Sequence, residues 1–127
     1  MKILLPIDNA ILRESLRCFL NNSGYQDVEV IPSNQPGAIE QALTRTNPNL
    51  VILNWWYRGY ESVLSLERNI WLIKYHPIHL LRRHRVAWLI SDHELPHLQT
   101  KPDLVIARNS LTLPALTRFL ARTKMSL

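Results

Sequence analysis

Short runs of consecutive apolar residues alternate with segments whose apolar residues recur every three or four positions, and this alternation extends along the whole chain. Lys2 to Ile7 is the first run, nearly continuous, as expected for a strand covered on both faces in a parallel sheet; Asp8 and Asn9 end it. Leu12, Leu16, Phe19 and Leu20 then share one helical face, with Arg13, Glu14 and Arg17 on the other and Asn22-Ser23-Gly24 as the stop signal. Val28, Val30 and Ile31 predict a short second strand closed by Pro32-Ser33-Asn34. A helical stripe of Ala38, Ile39, Ala42 and Leu43 follows, entered through Pro36.

Asn47-Pro48-Asn49 breaks the chain before Leu50 to Asn54, a buried strand rich in branched residues that ends in a polar side chain. The spacing of Val63, Leu64, Leu66, Ile70 and Ile73 predicts a third helix from Glu61 to about Tyr75, which Pro77 ends or kinks, leaving His79 to Arg83 as an added turn. Val86 to Ile90 is a fourth strand ending at Ser91-Asp92. The segment around Glu94 to Leu98 is poorly patterned, so a fourth helix there is expected to be short or irregular. Leu104 to Ala107 is the fifth strand. Leu113, Leu116, Phe119 and Leu120 line the last helix, with Thr112 as its N-cap and Pro114 tolerated in its first turn.

The order is thus a strand-helix unit taken five times, without an internal repeat, low-complexity tract or flexible linker. Such an order predicts a single α/β domain over residues 1–127, with a parallel sheet wound by right-handed crossovers. In sheets of this kind the functional crevice lies beyond the carboxyl ends of the strands. Asp8, Asn54, Ser91 and Arg108 with Asn109 stand at those ends and are expected to converge.

Composition narrows the class. The 127 residues fit one domain, and a 46% hydrophobic content supplies a core. The single cysteine, Cys18, excludes an internal disulfide and fits a reducing, cytoplasmic setting. The apolar start is too short for a signal peptide, and no charge-free run approaches the roughly eighteen residues of a membrane span. Fifteen Lys+Arg against ten Asp+Glu give a formal charge of +5, which favours anionic partners without naming one. The densest basic stretch, Lys74 to Arg85, offers Arg82, Arg83 and Arg85 as anion-binding candidates, though such runs are commonly solvated faces. The histidines lack metal-ligand spacing, so no metal is expected. Gly24, Gly37 and Gly59 are the only glycines and form no phosphate-cradling turn, which argues against a flavodoxin-like enzyme.

Four segments carry a resemblance: Ile3-Leu4-Leu5-Pro6-Ile7-Asp8-Asn9, Asn49-Leu50-Val51-Ile52-Leu53-Asn54, Trp88-Leu89-Ile90-Ser91 and Val105-Ile106-Ala107-Arg108-Asn109-Ser110-Leu111. Together they resemble the receiver domains of two-component response regulators, especially the NarL/FixJ class, over nearly the whole chain. The resemblance implies a flavodoxin-like, doubly wound sheet of five parallel strands in the order 2-1-3-4-5, with helices on both faces. In that family the first segment ends in two adjacent acids, the second in the phosphoryl-accepting Asp, the third in Ser or Thr and the fourth in Lys.

The departures are informative. Ile7 replaces the first acid and Asn54 the acceptor, while Asp8 remains. Mg²⁺ requires hard oxygen ligands; an Ile supplies none and an amide only a weaker carbonyl. An amide oxygen is also a poor nucleophile, so no acyl phosphate is expected at Asn54. Arg108 presents a fork of donors suited to Asp8 or the Asn54 carbonyl, and Ser91 keeps a strand-end hydroxyl. Asp8 reads equally well as the cap of the first helix or a surface carboxylate, or as a residual cation or Arg108 contact.

Trp55, Trp56 and Tyr57 follow Asn54 as a pocket plug, an exposed anchor or a cluster packed on Trp71. The function implied is a phosphorylation-independent regulatory module, with no cofactor and no enzymatic activity. Its expected partner is itself or a related response regulator, met through the first and last helices or the helix-four and last-helix face; Leu113 and Phe119 are candidate contacts. DNA is reached only through a separate effector domain, and the membrane not at all. The alternative is a small-ligand or nucleic-acid binding module on the same fold. The end at Lys124 to Leu127 matches the point where such a regulator enters its linker, so the chain is either an excised or a stand-alone domain.

Overall fold

A computed structural model describes residues 1–55, 60–75, 85–92 and 94–126. The elements run β1 (Ile3–Pro6), α1 (Ala10–Asn22), β2 (Val28–Ile31), α2 (Pro36–Thr46), β3 (Leu50–Trp55), α3 (Tyr60–Tyr75), β4 (Val86–Ser91), β5 (Leu104–Ala107), a 3₁₀ turn (Arg108–Ser110) and α4 (Leu113–Ser126). The five strands form one sheet in the order β2-β1-β3-β4-β5, and every pairing is parallel. The expected order 2-1-3-4-5 is therefore the observed one.

Strand alternation divides the core into two layers. Ile3, Leu5, Ile52, Trp88, Ile90 and Ile106 face α1 and α4, where Leu16, Leu20, Leu116 and Leu120 cover them. Leu4, Val51, Leu53, Ala87 and Leu89 face the other way, under Ile39 and Leu43 of α2 and Leu66, Ile70 and Ile73 of α3. Trp88 is the bulkiest of the fully buried side chains, and Phe119 meets its ring edge-on at 6.2 Å.

Local signals in the sequence set the helix ends. Asn9, not Asp8, caps α1: its Oδ1 accepts from the Leu12 amide at 2.9 Å. Gly24, with φ of 95°, takes the left-handed turn after that helix. Pro36 opens α2, and Asn47 ends it in the left-handed conformation with φ of 47°. Thr112 Oγ1 accepts from the Ala115 amide at 3.3 Å and so caps α4. Asn49 joins the starts of β1 and β3, accepting from the Lys2 amide at 2.8 Å and donating its own backbone N–H to the Lys2 carbonyl at 2.9 Å.

The fourth crossover departs from a regular strand-helix alternation. Among the described residues between β4 and β5 there is no helix, which realises the irregular form of the expectation and leaves four helices. Pro96 lacks an amide donor and holds Leu95 away from helical geometry, and Leu95 with Leu98 is too small an apolar set to form a stripe. The segment is held instead by polar ties. Glu67 Oε1 accepts from the Gln99 amide at 2.6 Å, Lys74 Nζ lies 3.6 Å from Asp103, and Asp103 Oδ2 accepts from the Ala87 amide at 2.8 Å. Without a helix above it, β5 leaves Val105 45% exposed on the α3 side of the sheet.

Asn47 provides a test of these packing rules, because its Oδ1 also accepts from Arg85 at 3.3 Å. Asn47→Ala is expected to cost about 2–4 kcal/mol, combining left-handed strain with a lost partner for a buried cation. Asn47→Gly relieves the strain and keeps only the second part of that loss. Urea denaturation midpoints of the two variants measure the difference.

Candidate functional site

The chain reverses direction across the sheet between β1 and β3, so the loops leaving these strands diverge and open a crevice at their carboxyl ends. Ile7 and Asp8 follow β1. Ile7 is fully buried in the α1–α4 layer, and its backbone carbonyl accepts from Arg13 at 2.7 Å. Asp8 is exposed.

Asn54, on β3, is 5% exposed and reaches Asp8: its Nδ2 donates to Asp8 Oδ1 at 3.3 Å. A carboxylate only accepts, so the amide must present its nitrogen to Asp8 and its oxygen elsewhere. Asn54 Oδ1 is buried and has no hydrogen-bond partner. The expected bond from Arg108 to this carbonyl is therefore not made.

The strand-end positions form two groups. Asn54 lies in register with Ile90, on the α1–α4 side, whereas Ser91 lies in register with Trp55 and Ala107, on the α2–α3 side. Arg108 stands in the 3₁₀ turn beyond β5. It lines, with Ser91, a recess of about 920 Å³ floored by Leu95, Val105 and Ala107 and edged by Asp92 and Glu94. This recess lies where the described residues of the fourth crossover form no helix. Sequence reading did not single out its acids or its floor; the available signal was a strand, Leu104 to Ala107, preceded by no amphipathic segment able to cover it.

Other expected site residues are placed as follows. Trp55 is 5% exposed within the α2–α3 core, which makes it a packing residue; Trp56 and Tyr57 lie outside the described residues. Arg82 and Arg83 lie outside them too. Arg85 is 3% exposed and donates to Asn47 Oδ1 and, at 3.5 Å, to the Ile73 carbonyl, so it is a buried structural cation and leaves the proposed anion-binding face. Leu113 is 61% exposed at the start of α4, whereas Phe119 packs against Trp88.

The residues present do not fit the Mg²⁺ ion that the resemblance implies. Ile7 contributes hydrocarbon to the core. The Asn54 carbonyl is turned from Asp8, and the donor that faces Asp8 already occupies one of its lone pairs. Among the described residues no group of three or more His, Cys, Asp or Glu side chains is placed to hold a metal ion.

No family model matches the sequence, and no curated protein matches it. Solved structures do. A protein described as related to pilus assembly from Burkholderia pseudomallei superposes with a TM-score of 0.70 at 15% identity, over 97% of this chain and 88% of that one. The signal receiver domain of a LuxO repressor protein from Vibrio parahaemolyticus gives 0.65 at 14% identity, over 98% and 93%. The chain has the receiver fold. RcsB from Salmonella enterica, solved on promoter DNA with a phosphomimetic, gives 0.67 at 12% identity; the match spans 99% of this chain but only 62% of RcsB.

Within that receiver fold the Asn54–Asp8 contact has a defined electrostatic sense. Asn54→Asp sets two carboxylates face to face, which lowers stability at pH 7 by about 1–3 kcal/mol. Burial and repulsion raise the folded-state pKa of the introduced acid above its unfolded value. The deficit is thus complete above that raised pKa, shrinks as pH falls through it, and vanishes below the ordinary carboxylate pKa near ~3.9. Thermal melts of both chains across the acid range measure the convergence.

Proposed function

We propose that this chain is a receiver-fold regulatory module that signals without phosphorylation, through contact with a second copy of itself or with a related response regulator. The reading rests on one observation: the Asn54 amide donates to Asp8 where phosphoryl chemistry would need a nucleophilic carboxylate, beside an Ile7 side chain committed to the core. A carboxamide oxygen does not form an acyl phosphate, and a single exposed carboxylate is a poor Mg²⁺ site.

The described residues form two apolar layers beneath the helices, so the crevice departs in its chemistry while the scaffold around it is retained. A well-formed domain without a reaction acts by what it binds; the module is not an enzyme. Likeness to RcsB, solved on promoter DNA, supports a role in transcriptional regulation in which a separate effector domain makes any DNA contact. Burial of Arg85 weakens the case for a nucleic-acid face on this domain. Among the described residues no helix is long and apolar enough to cross a membrane, and a cytoplasmic location follows from the proposed role.

Incubation with acetyl phosphate and Mg²⁺ is expected to leave the intact mass unchanged, and Mg²⁺ alone to leave the melting temperature unchanged. A stoichiometric, acid-labile mass increase overturns the reading.

A further inference from the structure

The outer face of α3 carries a continuous ridge that the core does not use. Leu64, Arg68, Trp71 and Tyr75 recur at four-, three- and four-residue intervals, which places them in one row along the helix. Leu64 is 49%, Trp71 43% and Tyr75 57% exposed. The two rings lie 6.5 Å apart, and the Arg68 guanidinium sits over the Trp71 ring, 5.8 Å from its centre. A guanidinium attracted to a ring still has five N–H donors, enough to serve a carboxylate as well. Trp, Tyr and Arg are also the residues on which interface energy concentrates.

The recess beside β5 has the complementary character. Its floor is apolar, with Val105 45% exposed, and among the described residues its edge carries Asp92 and Glu94 against Arg108. On a chain whose formal charge is +5, this recess is a locally acidic place. Ridge and recess lie on the same side of the sheet, since α3 covers that layer and the Glu67–Gln99 and Lys74–Asp103 ties fasten the irregular crossover to α3.

We propose that two copies of this chain pair about a two-fold axis, each seating its α3 ridge in the other's β5 recess, with Arg68 against Asp92 and Glu94. The proposal rests on the reading above and names the face through which it operates. Charge directs the occupant: a cationic aromatic ridge meets the acidic apolar recess of the same sequence. Symmetry makes it sufficient. One ridge in one recess is small beside the roughly 800 Å² per partner of a stable interface, and a two-fold axis doubles the contact and closes the assembly as a dimer. The ridge takes the place of the helix that the fourth crossover lacks.

The test is sedimentation velocity of the full chain from micromolar to millimolar concentration. The wild type is expected to pass from monomer to dimer. Arg68→Glu, and separately Asp92→Lys with Glu94→Lys, are each expected to weaken the dimer about tenfold or more. An equimolar mixture of the two variants is expected to restore it, because reversed and native pairs then both match. All three positions are exposed, so unchanged melting temperatures certify folding.

A wild-type dimer indifferent to both reversals overturns this face and leaves partner-based signalling standing. A mixture that stays monomeric also overturns the face. A wild-type chain that is monomeric throughout overturns the pairing itself, whatever else fills the recess, while the acetyl phosphate result is decided independently.

Discussion

A carboxylate can only accept hydrogen bonds, and this constraint orients the centre of the crevice. Asp8 must be met by donors, so the Asn54 amide turns its nitrogen outward and buries its oxygen without a partner. An unpaired buried carbonyl costs about 1–3 kcal/mol. β3, paired with β4 from Leu50 to Trp55 and packed on both faces, holds it there. The contact joins the ends of β1 and β3 through one amide–carboxylate hydrogen bond.

Most of the scaffold was legible in the sequence because its strands are fully buried. Leu50 to Leu53 and Val86 to Ile90 are continuous apolar runs, and only a strand covered on both faces needs one. Helix ends were legible where the signal is chemical: Pro36, Gly24 and Thr112 act as their residue types predict. The cap of α1 fell one residue later than Asp8, since Asp8 is drawn across to Asn54 and Asn9 is left to bind the first turn.

Other features were hidden because they depend on partners distant in sequence. Arg85 belongs to a basic run, yet its guanidinium reaches Asn47, 38 positions away, and is buried. Strand-end residues look equivalent in a linear reading, but Asn54 and Ser91 leave adjacent strands on opposite sides of the sheet, so one meets Asp8 and the other faces the recess. Leu64 was grouped with the core stripe of α3 because Val63 and Leu66 flank it; its exposure shows that the stripe is one position narrower than composition implied.

Ile7 ties the edge of the crevice to the core. Its side chain is enclosed among Leu5, Leu16 and Ile52, so an acid at that position would have to ionise inside hydrocarbon until neighbouring residues had changed to receive it. Exchanging Asn54 alone for Asp leaves that enclosure unchanged and sets a second carboxylate beside Asp8. A polar group at this position is thus accommodated only together with changes in the layer beneath α1, so the surface of this chain can vary far more freely than this one site.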